Sequence, residues 1–216
     1  MQHDYESYWN RCWQEENASD LFKYLEGYNR LSTPEIDFFK QNGIASVCDA
    51  ACGFGAYCLA FASNGFRVSG FDISETAVRI TTEALQKYRY PDAQVKPASI
   101  LDTGYEDASF DGVVAHAVLD HLTAADAKRA LAELFRITRP GGLVMVSFDI
   151  PEEDDFNEEH RLLEDGTMEY TCESRGGMLF RPYDWAEIEE LTAGYNISYK
   201  ADKGKRERVV VLRKPE

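Results

Sequence analysis

The chain has 216 residues, 44% hydrophobic and 28% charged, with 12 tyrosines and 12 phenylalanines. That suits one medium domain, or a domain with a cap, and excludes a disordered segment. Its 38 acidic against 23 basic residues leave a formal net charge of -15, which argues against nucleic acid as the partner, since polyanion binding relies on lysine and arginine displacing counterions.

Two short aromatic-rich helices are expected at 4–16 and 19–28, carrying Tyr5, Tyr8, Trp9, Trp13, Phe22 and Tyr24. "STPEIDFFKQNG" reads as a capped helix, with Ser32 or Thr33 as N-cap, Pro34 and Glu35 in the first turn and Gly43 at its end. A strand at 44–49, a glycine turn, a helix at 55–64, a strand at 66–72, a helix at 75–88 and a short strand near 94–98 follow. Next come a strand at 111–116, a helix at 124–137 and, beyond the Arg139-Pro140-Gly141-Gly142 turn, a strand at 142–149. Strands alternating with helices of this size predict βαβ units and a doubly wound α/β fold, its mostly parallel sheet covered on both faces.

The pattern then changes. An acidic run (Glu152, Glu153, Asp154, Asp155, Glu158, Glu159, Glu164, Asp165) reads as a solvated loop or short helix. "TMEYTCESRGGMLFRP" reads as a hairpin turning at Arg175-Gly176-Gly177. "YDWAEIEELTAGY" is a helix ending at Gly194, and "NISYKADKGKRERVVVLRK" a final antiparallel pair whose basic residues guard an edge. One domain results: an N-terminal helical cap (1–43), a ligand-binding core (44–149), an insertion that caps the substrate (150–182) and a final helix with strands (183–216).

The cysteines (Cys12, Cys48, Cys52, Cys58, Cys172) show no paired spacing, and Cys48, Cys52 and Cys58 have no histidine near them. They read as small hydrophobes in a reducing compartment, and no metal is expected. "MQHDYESYWNRCW" has no basic head before an apolar core, and no stretch reaches membrane-spanning length. A cytoplasmic protein without membrane attachment is expected.

"DAACGFGAY", residues 49–57, sets an acid, small residues and two glycines just after an apolar run. Glycine costs ordering entropy, so Gly53 and Gly55 imply that something approaches the backbone closely. In an open parallel sheet ligands collect beyond the carboxyl ends of the strands, where strand order reverses. Asp49 and Asp72 close the ends of successive strands, and Asp72 comes 72 − 55 = 17 residues after Gly55, a spacing that suits an acid accepting from both hydroxyls of a ribose. Either aspartate alone would read as a helix cap; together, flanking a glycine turn, they point to a ligand. The dinucleotide fingerprint Gly-x-Gly-x-x-Gly is broken at Cys58, and a pyrophosphate here would meet Asp49. A carboxylate at that place suits a ligand carrying positive charge.

Asp49-Ala50-Ala51-Cys52-Gly53-Phe54-Gly55 resembles the glycine motif of the class I S-adenosylmethionine-dependent methyltransferases. Ala51 replaces the first glycine, which calls for ordinary backbone angles there. The resemblance runs from about Ile44 to Phe148: "GFDIS" (70–74) is similar to the family's second motif, and "ASFDGVVAHAVLDHL" and "LFRITRPGGLVMVSF" to its fourth- and fifth-strand regions. It implies a seven-stranded sheet whose last strand is antiparallel, and S-adenosylmethionine as cofactor. By the same resemblance, backbone at Ala51, Gly53 and Gly55 would face the methionine portion, and Asp49 would hold water or the amino group. Asp72 would take the ribose hydroxyls and Ile73 would pack on adenine. Ser99 and Ile100, or Asp102 if the loop is shifted, stand where the family often has an acid for the adenine amino group. Ala115 and His116 would lie beside the methionine and the transferred methyl.

Methyl transfer from a sulfonium is an in-line displacement that needs alignment and exclusion of water. A base matters only where the nucleophile carries a proton; His116 is the candidate, for that role or for the ligand wall. His121 in "VLDHL" reads as a helix-cap or surface histidine. Tyr8, Trp9 and Trp13, with Tyr170, Met178, Phe180 and Arg181 of the hairpin, are candidates for walls enclosing a small-molecule substrate. The expected function is methyl transfer from S-adenosylmethionine to a small-molecule acceptor. The alternatives are a noncatalytic S-adenosylmethionine-binding protein and a nucleotide-dependent oxidoreductase, the latter opposed by Asp49 and the missing third glycine.

Overall fold

The computed structural model describes residues 3–16 and 18–216. Met1, Gln2 and Asn17, part of the cap expected at 1–43, lie outside the described residues. Helices α1 (Tyr5–Glu15), α2 (Ala18–Leu25) and α3 (Pro34–Gln41) lead into β1 (Ser46–Ala50). Then follow α4 (Ala56–Ser63), β2 (Arg67–Asp72), α5 (Glu75–Lys87), β3 (Gln94–Pro97) and β4 (Phe110–Ala115). A 3-10 turn at Leu119–His121 precedes α6 (Ala124–Ile137) and β5 (Thr138–Asp149). The remainder is α7 (Glu153–Asn157), β6 (His160–Leu162), β7 (Met168–Tyr170), β8 (Leu179–Phe180), α8 (Trp185–Leu191), β9 (Asn196–Lys203) and β10 (Glu207–Arg213).

Local chemistry sets the helix starts. Thr33, Ser74 and Thr123 each accept a backbone N–H three residues on, at Ile36, Ala77 and Asp126, and Asp184 with Glu187 forms a reciprocal capping box before α8. The seven strands run in the order β3-β2-β1-β4-β5-β10-β9. β1 to β5 are mutually parallel, and β10 runs antiparallel to both β5 and β9. The fold is therefore the doubly wound, mostly parallel sheet that the alternation predicts.

Strand alternation splits the apolar residues between two cores. Cys48, Val113, Val144, Val146 and Val210 pack with α6 and α8 on one face. Val47, Val114, Met145 and Val211 pack with α3 and α4 on the other. Among the described residues no helix is long and apolar enough to cross a membrane.

Two local expectations need correction. The Arg139–Gly142 turn is absorbed into β5, because Gly141 N–H donates to Lys214 O at 3.0 Å and Lys214 N–H to Gly142 O at 2.9 Å, so the chain's end supplies the pairing. The acidic run contains a strand as well as a short helix: β6 pairs antiparallel with β7, which pairs with β8 around the expected Arg175-Gly176-Gly177 turn. β6 has no apolar alternation of its own; its neighbour holds it.

Candidate active site

β1 lies between β2 and β4, so strand order reverses beside it and a crevice opens at the carboxyl ends of β1 and β4. A cavity of about 210 Å³ occupies it. Asp49, Ala51 and Gly53, then Asp72 and Ile73, Ser99 and Ile100, and His116 all line this cavity. The residues come from four separate strand ends. α1 closes the other side with Tyr5, Trp9 and Trp13, which recur every four residues and so share one helix face.

Four sequence-predicted positions fall elsewhere. Ala115 is fully buried in the core on the α6 side, where alternation along β4 directs it. Gly55 has φ +87° and begins α4; a Cβ there would lie 2.7 Å from Thr81 Cγ2, so this glycine serves helix packing. Tyr8 lies off the α1 stripe, against Trp9 and the Gly177 turn of the hairpin. Asp102 is exposed and bridges back to Ser99. The hairpin contributes nothing to this cavity's wall directly. Phe180 backs His121 at 5.9 Å, and α1 reaches the hairpin through Arg11 Nη2, which donates to Gly176 O at 2.8 Å.

The floor is electrostatically unusual. Asp49 Oδ2 accepts from the Cys58 N–H at 2.8 Å. Asp72 Oδ2 accepts from Gly53 N–H and Oδ1 from Ser74 N–H, both at 2.9 Å. Burial pushes the Asp49 carboxyl up to about 7, against the Cys58 hydrogen bond that lowers it. Burial likewise raises Asp72 to about 6 despite its backbone donors. Among the described residues neither acid forms an ion pair with lysine or arginine. Two buried acids without a fixed cation suit a ligand that brings its own.

Ala51 does not take ordinary backbone angles. Its φ is +54°, in the left-handed region that costs a non-glycine residue about 1–2 kcal/mol. Ala117, also on the cavity wall, has φ +49°. Backbone strain at two positions of one cavity is the kind that surrounding structure holds in place for a binding site.

The two histidines differ sharply. His116 Nε2 lies 2.8 Å from Glu207 Oε2, and its ring packs on Tyr57 with centroids 4.5 Å apart. Burial opposes the charged imidazole, but the Glu207 carboxylate outweighs it and raises the His116 pKa. His121 is neither a cap nor a surface residue. It lines the cavity, packs edge-on to Trp9 at 5.3 Å, and its Nδ1 lies 2.9 Å from Leu179 O. Tyr5, in the aromatic segment expected to cover the strand ends, joins Trp9 and Trp13 on the wall; Glu207 is a further residue that no motif points to. Tyr5 carries a signal, the four-residue spacing to Trp9; Glu207 carries none, because only strand pairing brings it near His116.

A family model described as a methyltransferase domain matches residues 48–146. A probable S-adenosylmethionine-dependent methyltransferase of Mycolicibacterium smegmatis is 35% identical over 101 residues, covering 47% of this chain and 37% of that protein. The tRNA (carboxymethyluridine(34)-5-O)-methyltransferase of Arabidopsis thaliana is 32% identical over 110 residues, covering 50% of this chain and 25% of that one. The chain thus spans well under half the length of these curated relatives. The fold likeness is broader. The Burkholderia thailandensis 1,6-didemethyltoxoflavin-N1-methyltransferase, solved with its acceptor and S-adenosylhomocysteine, superposes with a TM-score of 0.64 at 19% identity over 95% of this chain and 81% of that one. Motif order, sheet order and domain match agree: residues 48–146 form a methyltransferase domain, and the chain has the Rossmann-like fold of the class I S-adenosylmethionine-dependent methyltransferases.

Proposed function

We propose that this protein transfers the methyl group of S-adenosylmethionine to a small-molecule acceptor enclosed beneath α1. The observation that carries the reading is the pairing of Asp49 and Asp72, buried and without a lysine or arginine partner, under a roof of Tyr5, Trp9 and Trp13. The cofactor supplies an electrophilic methyl on a sulfonium. Asp49 and backbone at Ala51 and Gly53 would hold its methionine part, and Asp72 the ribose hydroxyls. Ile73, Ser99 and Ile100 would flank the adenine. The aromatic face of α1 excludes water from the displacement. His116, its Nε2 facing the Glu207 carboxylate at 2.8 Å, is oriented and made more basic by it, and serves as a wall or takes the acceptor's proton where one must leave.

A small acceptor is favoured over RNA by the net charge of -15. The free thiols of Cys12, Cys48, Cys52, Cys58 and Cys172 suit a reducing, cytoplasmic setting. Calorimetric titration with S-adenosylmethionine, S-adenosylhomocysteine and NADH tests the ligand; tighter NADH binding removes the reading. Deleting residues 1–15 tests the roof. Cofactor binding retained with loss of methyl transfer over a metabolite panel supports enclosure by α1, whereas full activity refutes it.

A further inference from the structure

The 3-10 turn and the end of β5 bring Asp120, His121 and Asp149 together: one ligand-type atom from each lies within 4.8 Å of the other two. Asp120 is fully buried. Its Oδ2 accepts from the Asp149 N–H at 2.8 Å, and its Oδ1 has no hydrogen-bond partner. Arg206 lines the adjoining cavity with Asp149 but is exposed and forms no ion pair with either acid, and the other cations nearby are engaged elsewhere. Arg175 pairs with Asp155 at 2.6 Å, Arg181 with Glu187 at 3.0 Å, and His116 with Glu207. Among the described residues no lysine or arginine forms an ion pair with Asp120 or Asp149.

Two adjacent carboxylates, one of them buried with a bare oxygen, are relieved by a shared proton or by a bound positive charge. The histidine is set up to help bind such a charge. Leu179 O, 2.9 Å from Nδ1, accepts a hydrogen bond from Nδ1–H, which in the neutral ring leaves the lone pair on Nε2. Metal-ligating histidines are oriented in this way, donating their other ring N–H to a backbone carbonyl.

We propose that Asp120, His121 and Asp149 form a binding site for a divalent cation of the Mn²⁺ or Zn²⁺ type. Two carboxylates and one imidazole are a donor set that such ions accept. Three protein ligands leave coordination positions open. His121 belongs both to the wall of the cofactor cavity and to that of an adjoining cavity, which Asp149, Arg175 and Phe180 also line. The open positions therefore adjoin the acceptor side, where they would take an oxygen-bearing acceptor. That last role rests on the methyl-transfer reading; the cation site itself does not.

The test is a titration of the chelator-treated full chain with Mn²⁺, followed by electron paramagnetic resonance, and with Zn²⁺, followed by calorimetry. The variants are Asp149→Asn, His121→Ala and a control on the acidic helix α7, Glu153→Gln, each checked for folding by circular dichroism. The expected result is one saturable ion per chain, weakened at least about tenfold by Asp149→Asn or His121→Ala and untouched by Glu153→Gln. The ion should raise the melting temperature of the wild type but not of the first two variants. Should one of those two fail to fold, the other carries the test. Absence of saturable binding of either ion at millimolar concentration overturns the proposal, the two carboxylates then sharing a proton. Binding that survives both variants, or that only Glu153→Gln weakens, overturns it as well. A parallel titration with S-adenosylhomocysteine separates the two readings, because its failure removes the cofactor assignment and leaves the cation result standing.

Discussion

Replacing Asp49 by Asn removes a charge that the empty fold holds at a cost. Burial raises this carboxyl from its ordinary 3.8 to about 7, a difference of 7 − 3.8, about 3. At about 1.4 kcal/mol for each pH step, up to about 4 kcal/mol of stability is at stake. The folded state holds the proton more tightly than the unfolded chain. The stabilisation is therefore complete below pH 3.8 and lost as pH rises through about 7. Asn keeps an oxygen to accept from the Cys58 N–H but cannot ionise. Without ligand, Asp49→Asn should melt higher than wild type at about pH 8, and its melting temperature should fall less steeply from about pH 5 upward. Even a quarter of the full figure, about 1 kcal/mol, is about 2–4 °C for a chain of this length. Ligand binding should move the opposite way, with S-adenosylmethionine held roughly tenfold more weakly, since a cationic ligand loses its counter-charge. Scanning calorimetry across that pH range and titration calorimetry at its upper end read both effects. A flat wild-type profile, with a variant no more stable at high pH, would refute the burial argument. Unchanged affinity would show that Asp49 does not face the ligand's charge.

Three further outcomes are expected. Asp72→Ala should raise the dissociation constant for S-adenosylhomocysteine about tenfold or more, because hydrogen bonds to a carboxylate are worth about 1.5–3 kcal/mol. Unchanged affinity with a lower melting temperature would make Asp72 only the holder of the Gly53 and Ser74 amides. Ala51→Gly should stabilise the protein by roughly 0.5–1 kcal/mol, the relief of left-handed strain less the entropy that glycine adds to the unfolded chain; denaturant melts check the sign, and a clear loss of stability would contradict it. Glu207→Gln should lower the His116 pKa, which the Glu207 carboxylate raises, and shift to lower pH the range over which that pair's stabilisation is lost; a histidine titration followed by NMR that stays in place would remove the pair.

Much of the fold is legible in the sequence because its signals are local. The cap Thr33, the apolar runs of β1, β4 and β5, and the helix periods between them each depend on residues a few positions apart. Parallel pairing and a crossover on each face then leave few topologies open. The same holds for the floor of the candidate site: Asp49 and Asp72 stand at strand ends, and strand ends are where a parallel sheet receives a ligand.

What only the tertiary structure decided involves residues far apart in the chain, or backbone angles imposed from outside. Ala51 adopts φ +54° against its own preference, because the loop packed between β1 and α4 must turn there. β10 enters the sheet beside β5, sets Glu207 opposite Asp149 and so brings a carboxylate to His116, 207 − 116 = 91 positions away. The 3-10 turn packs under β8, which turns His121 from an apparent surface residue into a wall of the cavity. It also leaves Asp120 buried against Asp149. Amphipathic spacing is written in the order of the residues; which charges meet in a low-dielectric interior is fixed only when strands from both ends of the chain share one sheet.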